Sequence, residues 1–161
     1  MNIVLKPIGV VKTNASDEEV KKSWSGVETF IEIFKEYRLG LKGLKGFSHI
    51  FIIAFLHKVS EEQRKTLIVR PRRLTRLGLK LEELPEVGVF ATDSPHRPNP
   101  IALTIAEVIE VREDGILVKG VDLYNGTPVL DIKPYTITRK IEKLSFPKWY
   151  TELYEKVGIE I

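Results

Sequence analysis

The run HIFIIAFL, His49–Leu56, constrains this chain more than any other stretch. It is apolar on both of its alternating faces. A strand of that kind belongs in the centre of a sheet, with neighbours on both edges. The remainder follows the same pattern, with period-two or short apolar runs punctuated by Gly and Pro. Candidate strands are Ile3–Lys12, Glu28–Ile33, His49–Leu56, Val87–Ala91, Ile101–Val111, Ile116–Val121 and Val129–Pro134. Within Ile101–Val111, the side chains of Ile101, Leu103 and Ile105 share one face and Thr104 takes the other. Helices are few. Ser60-Glu-Glu-Gln63 resembles a capping box. Farther on, Ser145 can cap, Pro147 suits a first turn, and Trp149, Leu153 and Val157 recur every four residues up to Gly158. The fold class is mainly β, a barrel or a sandwich, with a C-terminal amphipathic helix and few short helices.

Composition excludes several classes. The 161 residues fit one domain with a real core. With no cysteine there is no disulfide framework and no thiolate zinc site, which suits a reducing interior, so a cytoplasmic location is expected. The opening MNIVLKPIGVVKT does not read as a signal peptide, and no apolar run approaches the roughly 20 residues of a membrane helix, so no membrane partner is expected. Neither a G-x-G-x-x-G after a strand nor a P-loop is present, and there is no G-x-S-x-G elbow. His49 and His57 cap opposite ends of one strand, about 26 Å apart at roughly 3.3 Å per residue, too far to share a metal. No metal is expected.

Net charge is only +3, but it is unevenly spread. From Gln63 to Lys80 the chain carries Arg64, Lys65, Arg70, Arg72, Arg73, Arg76 and Lys80 with no acid. Two readings stay open, a solvated basic loop or a surface that neutralises nucleic-acid phosphates. The segment ATDSPHRPNPIALT, Ala91–Thr104, places Pro95, Pro98 and Pro100 around His96, Arg97 and Asn99. Proline fixes its own φ and extends the residue before it, so the segment reads as a stiff extended loop. Such a loop presents Ser94, His96, Arg97 and Asn99 with little entropy left to lose on binding. A second polar stretch, VDLYNGTPVLDIKPY, turns at Asn125-Gly126, with Asp122 and Asp131 on either side.

These two stretches closely resemble the TrmO, or TsaA-like, family. IGVVKT near the start, GFSHI at Gly46–Ile50 and Arg70-Pro71-Arg72-Arg73 fit the same family in the same order. The resemblance spans roughly residues 3–137. It implies a single β-barrel domain over 3–137, with 138–161 as a helical extension packed on it through Trp149, Leu153 and Val157. It also implies a homodimer that uses S-adenosylmethionine to methylate N6 of N6-threonylcarbamoyladenosine in tRNA. His57, Lys58, Asp93, Arg97, Asn99, Leu103, Asp122, Leu123, Tyr124 and Asn125 are then the cofactor residues, with Arg97 on the cofactor carboxylate. Arg70, Arg72, Arg73 and Arg76 acquire a partner in the tRNA backbone.

The chemistry sets further demands. N6 of threonylcarbamoyladenosine shares its lone pair with the ring and with a urea carbonyl, and it must lose a proton. The site needs reacting atoms held in line about 3 to 3.5 Å apart, a cation for the threonine carboxylate and a proton acceptor. Lys133 is the candidate cation, and Asp131 and His96 are the candidate acceptors. Where the family commonly reads T-R-S-P, this chain reads Thr92-Asp93-Ser94-Pro95. That anion keeps two alternatives open: a non-catalytic barrel binding RNA or S-adenosylmethionine, and a methyltransferase for another nucleotide or metabolite.

Overall fold

The structure, a computed structural model, describes residues 1–161. In chain order the elements are β1 (Gly9–Lys12), α1 (Asp17–Lys22), β2 (Val27–Ile33), β3 (His49–Phe55), α2 (Glu61–Arg64), β4 (Ile68–Val69), β5 (Val87–Gly88), β6 (Ile101–Val111), β7 (Gly115–Val121), β8 (Pro128–Pro134) and α3 (Lys148–Lys156). They fall into two compact units. One comprises Met1–Val59 with Pro100–Ile137, the other Ser60–Asn99 with Thr138–Ile161.

The first unit is a closed barrel in the order β1-β2-β7-β6-β3-β8, with every neighbouring pair antiparallel. β3 is central, as its two apolar faces require. It pairs with β6 along its whole length and with β8 on the other side. Ile50, Ile52 and Ala54 are fully buried inside, beside Val11, Ile31, Ile116, Val118, Val121, Leu123 and Val129. Register shifts at Val27/Thr29, Ile53/Ala54 and Val108/Glu110 mark where the strands bend as the sheet closes. At Gly115 the β7 backbone comes so close to β2 that a Cβ would sit 2.1 Å from the Ile31 carbonyl oxygen.

β6 turns its small residues inward, because the narrow interior is already filled by Ile and Val from the opposing strands. Ala106 and Thr104 are buried, whereas Ile101, Leu103 and Ile105 are 40%, 67% and 52% exposed. Residues directly opposite across an antiparallel pair share a face. Leu103 lies opposite Ile53, and Ile53 opposite Asp131. Ile105, Phe51 and Lys133 form the next row. The outer face of β6-β3-β8 is thus an apolar strip bordered by Asp131 and Lys133.

The second unit holds the two-stranded β4-β5 sheet, α2 and α3. Ser60 and Gln63 cap α2 reciprocally, as their spacing predicts. Trp149, Leu153 and Val157 share a face of α3, but they cluster with Leu74, Leu79 and Leu84. The division differs from the one expected at 137/138, because these leucines give the C-terminal helix an apolar seat within 60–99. Pro147, not Ser145, stands at the helix N-cap. Strand edges move too. Ile3–Leu5 are exposed and pairing begins at Gly9, past Pro7, which has no N–H to offer a neighbouring strand. Val87–Ala91 pairs only over Val87–Gly88 before Val89 turns into the core.

Candidate functional site

The turn after β7 is built from the inside out. Leu123 is 2% exposed within the barrel core, so its side chain anchors the turn and only its backbone can meet a ligand. Asp122 and Tyr124 flank it. Asp122 Oδ1 accepts from the Thr104 hydroxyl of β6 at 3.1 Å. Thr127 closes the turn by donating Oγ1–H to the Tyr124 carbonyl at 2.7 Å. Gly126 has φ +81°, the left-handed conformation that favours glycine. Asn125 Oδ1 accepts from the Thr13 N–H at 3.0 Å, which ties the turn to the segment after β1.

At the end of β3, Leu56 N–H donates to the Pro100 carbonyl at 2.8 Å. His57 and Lys58 follow. The Lys58 ammonium lies 5.1 Å from the Tyr124 ring centroid and forms an ion pair with Asp17 on α1. Burial holds the His57 pKa below its ordinary value, and the Lys58 charge lowers it further against the opposing pull of Asp17. A neutral imidazole there does not repel a cationic ligand. The barrel unit therefore brings His57, Lys58, Asp122, Tyr124 and Asn125 together, whereas Leu103 points to the opposite face of β6 from Thr104 and lies on the outer strip. Asp131 and Lys133 form an ion pair at 3.2 Å, and Asp131 Oδ1 accepts from the Ile132 N–H at 2.9 Å.

Up to Asn99 the proline loop belongs to the second unit, and it is bent rather than extended. Thr92 Oγ1 accepts from Ser94 N–H, and Ser94 Oγ accepts from His96 N–H. These hydroxyl turns fold the segment before its prolines can extend it. Arg97 Nη1 donates to the Thr92 carbonyl at 2.8 Å, so this guanidinium first ties its own loop. Asp93 and Asn99 are exposed. Arg70, read as a phosphate contact, donates to the Leu84 carbonyl and pairs with Glu86 at 3.3 Å. Arg72, Arg73 and Arg76 are exposed around the buried Leu74. No cluster of three or more His, Asp or Glu side chains is placed to hold a metal ion.

Sequence reasoning missed α1 and its Asp17. The signal was present, since Ser16-Asp-Glu-Glu19 is a capping box and both reciprocal bonds form. It went unread because α1 has one buried residue, Val20, and so no apolar periodicity.

Fold and site together define a closed six-stranded antiparallel barrel with its polar residues collected at the ends of β3 and β7. The chain belongs to the TrmO family: the profile of the tRNA-methyltransferase O N-terminal domain matches residues 19–139. A Methanothermobacter thermautotrophicus protein named as a probable S-adenosyl-L-methionine-binding protein is 38% identical over 138 residues, covering 84% of this chain and 91% of that protein. The mouse tRNA (adenine(37)-N6)-methyltransferase is 45% identical over 103 residues, 64% of this chain but only 22% of the mouse protein. In fold, the chain is similar to a crystal structure of TrmO at TM-score 0.68 and 24% identity, covering 92% of this chain and 64% of that one.

Proposed function

We propose that this protein is an S-adenosylmethionine-dependent tRNA methyltransferase acting on N6 of N6-threonylcarbamoyladenosine. The observation that carries the reading is local. Lys58 against Tyr124, and Thr104 bonded to Asp122, draw three marked segments of the barrel to one place. The donor set fits the cofactor. Asp122 offers an acceptor for ribose hydroxyls or an ammonium, the Tyr124 ring suits a cation or a base, and neutral His57 avoids repelling a sulfonium. S-adenosylmethionine supplies an electrophilic methyl group when bound. The chain's own residues orient the nucleophile, offer Lys133 to a carboxylate and take the N6 proton. Calorimetric titration with S-adenosylmethionine tests the reading, followed by methyl transfer to tRNA carrying the modified adenosine. No heat at millimolar cofactor overturns it and favours a non-catalytic RNA-binding barrel, the alternative that Asp93 supports.

The tRNA contact is assigned to Arg72, Arg73 and Arg76. Replacing Arg72 and Arg76 with Ala is expected to weaken tRNA binding and flatten its salt dependence. Each lost phosphate contact lowers the log–log slope by roughly 0.7 to 0.9. An unchanged slope returns the segment to a solvated loop.

A cytoplasmic homodimer completes the proposal. The cysteine-free composition suits a reducing compartment, and no helix is long and apolar enough to cross a membrane. The apolar strip of β6-β3 supports self-association. Its borders carry both signs, Glu107–Lys119 on one side and Asp131–Lys133 on the other, as an isologous contact requires. Ile105→Glu is expected to convert the dimer to a monomer in light scattering. A parent protein that is monomeric at high concentration sinks this part.

A further inference from the structure

We infer that Asp17 is a positioning residue of the cofactor site, holding Lys58 over the Tyr124 ring through the first turn of α1. The inference rests on the methyltransferase reading and extends it to a residue just before the matched region, which begins at residue 19.

The segment from Thr13 to Asp17 reaches two marked residues, besides the bond from the Thr13 hydroxyl to the Glu28 carbonyl. Thr13 N–H donates to Asn125, and Asp17 pairs with Lys58. α1 is short, but it is fixed at both levels. The Ser16–Glu19 box caps it, and Val20, 2% exposed, anchors it. Asp17 is therefore presented from a set position rather than from a free loop.

Its partner needs that help. A lysine ammonium on a four-carbon stem is strongly hydrated and samples many rotamers. Lys58 has a side chain 49% exposed, so burial alone does not fix it. The ring of Tyr124 attracts the ammonium, and the Asp17 carboxylate sets the side from which it approaches. Asp17 also reduces the positive charge next to His57, which matters where a sulfonium must be accepted. The carboxylate acts through Lys58 and is not itself a ligand contact.

The test uses Asp17→Asn, Lys58→Gln and the double variant of the full chain. Asparagine keeps the shape, and the Ser16–Glu19 box and Val20 stay in place. His57 ring signals, assigned with His57→Gln, report the pair by NMR. In Asp17→Asn the His57 pKa is expected to fall, because the group that raises it is gone. Cofactor affinity is expected to weaken about two- to fivefold, the scale of an exposed ion pair. The loss should appear in KM for the cofactor with kcat nearly unchanged, and Asp17→Glu should restore most of it. In the Lys58→Gln background, Asp17→Asn should add no further loss of cofactor affinity, since on that property both act through one contact.

If the parent binds cofactor and Asp17→Asn matches it in affinity, the positioning role is wrong, even where the His57 titration moves with the lost charge. An equal loss with and without Lys58 also overturns it, because that would be a general effect of α1. If the parent protein itself gives no heat with S-adenosylmethionine, the methyltransferase reading fails first and takes this role with it.

Discussion

Asparagine at position 131 is expected to slow methyl transfer by about 100- to 10,000-fold while cofactor affinity stays nearly intact, the usual scale of a general acid–base role. Asp131 sits on β8 opposite Ile53, with one oxygen on the Ile132 N–H and the other on Lys133. A carboxylate already oriented by a backbone donor needs little rearrangement to receive a proton. In the proposed reaction Lys133 leaves that pair to take the substrate carboxylate, which frees the Asp131 oxygen when substrate arrives. Asparagine keeps the Ile132 bond and cannot take the proton. His96→Ala is the competing experiment. Single-turnover rates separate the two, and if both variants match the parent within a few fold, solvent takes the proton.

Alanine at Gly115 is expected to cost about 3 kcal/mol of stability, near the upper end for overpacking. The added carbon would lie 2.1 Å from the Ile31 carbonyl oxygen and 2.7 Å from the Phe30 ring. Ile31 and Ile116 are register partners, so relief requires β2 and β7 to part where they close the barrel. Gly40→Ala is the control, because no atom lies within 4 Å of its added carbon. Urea midpoints with an unchanged m-value measure both. A Gly115→Ala midpoint equal to that of the control would mean the strands have more room than their spacing implies.

The barrel strands were largely legible because their apolar runs are bounded by Gly and Pro. Ile101–Val111 forms over the span its pattern marks, and β3 is central as its two-sided hydrophobicity demands. What could not be read was the seat of α3. An apolar stripe states that it must be covered, not by which residues, and Leu74, Leu79 and Leu84 sit in a stretch that advertises only its arginines. Where motif and barrel coincide, at 57–58 and 122–125, the structure brings the marked residues together through Lys58 and Tyr124. Arg97 and Arg70 illustrate the limit. A cation between prolines or among arginines reads as a ligand contact, yet both donate to carbonyls of their own neighbourhood, a choice set by three-dimensional proximity.

The pairing of β3 with β6 also fixes an order of events during folding. Those strands adjoin along their full length, yet the chain between Phe55 and Ile101 leaves the barrel and returns before they can meet. Closing so long a loop costs entropy before any contact repays it. The β6–β7 hairpin, joined by the tight connection around Asp114, faces no such delay. The nascent sheet should therefore grow from that hairpin, the seam at which Leu56 meets Pro100 should follow, and the β1–β8 seam, whose partners Gly9 and Val129 lie farthest apart in the chain, should zip last.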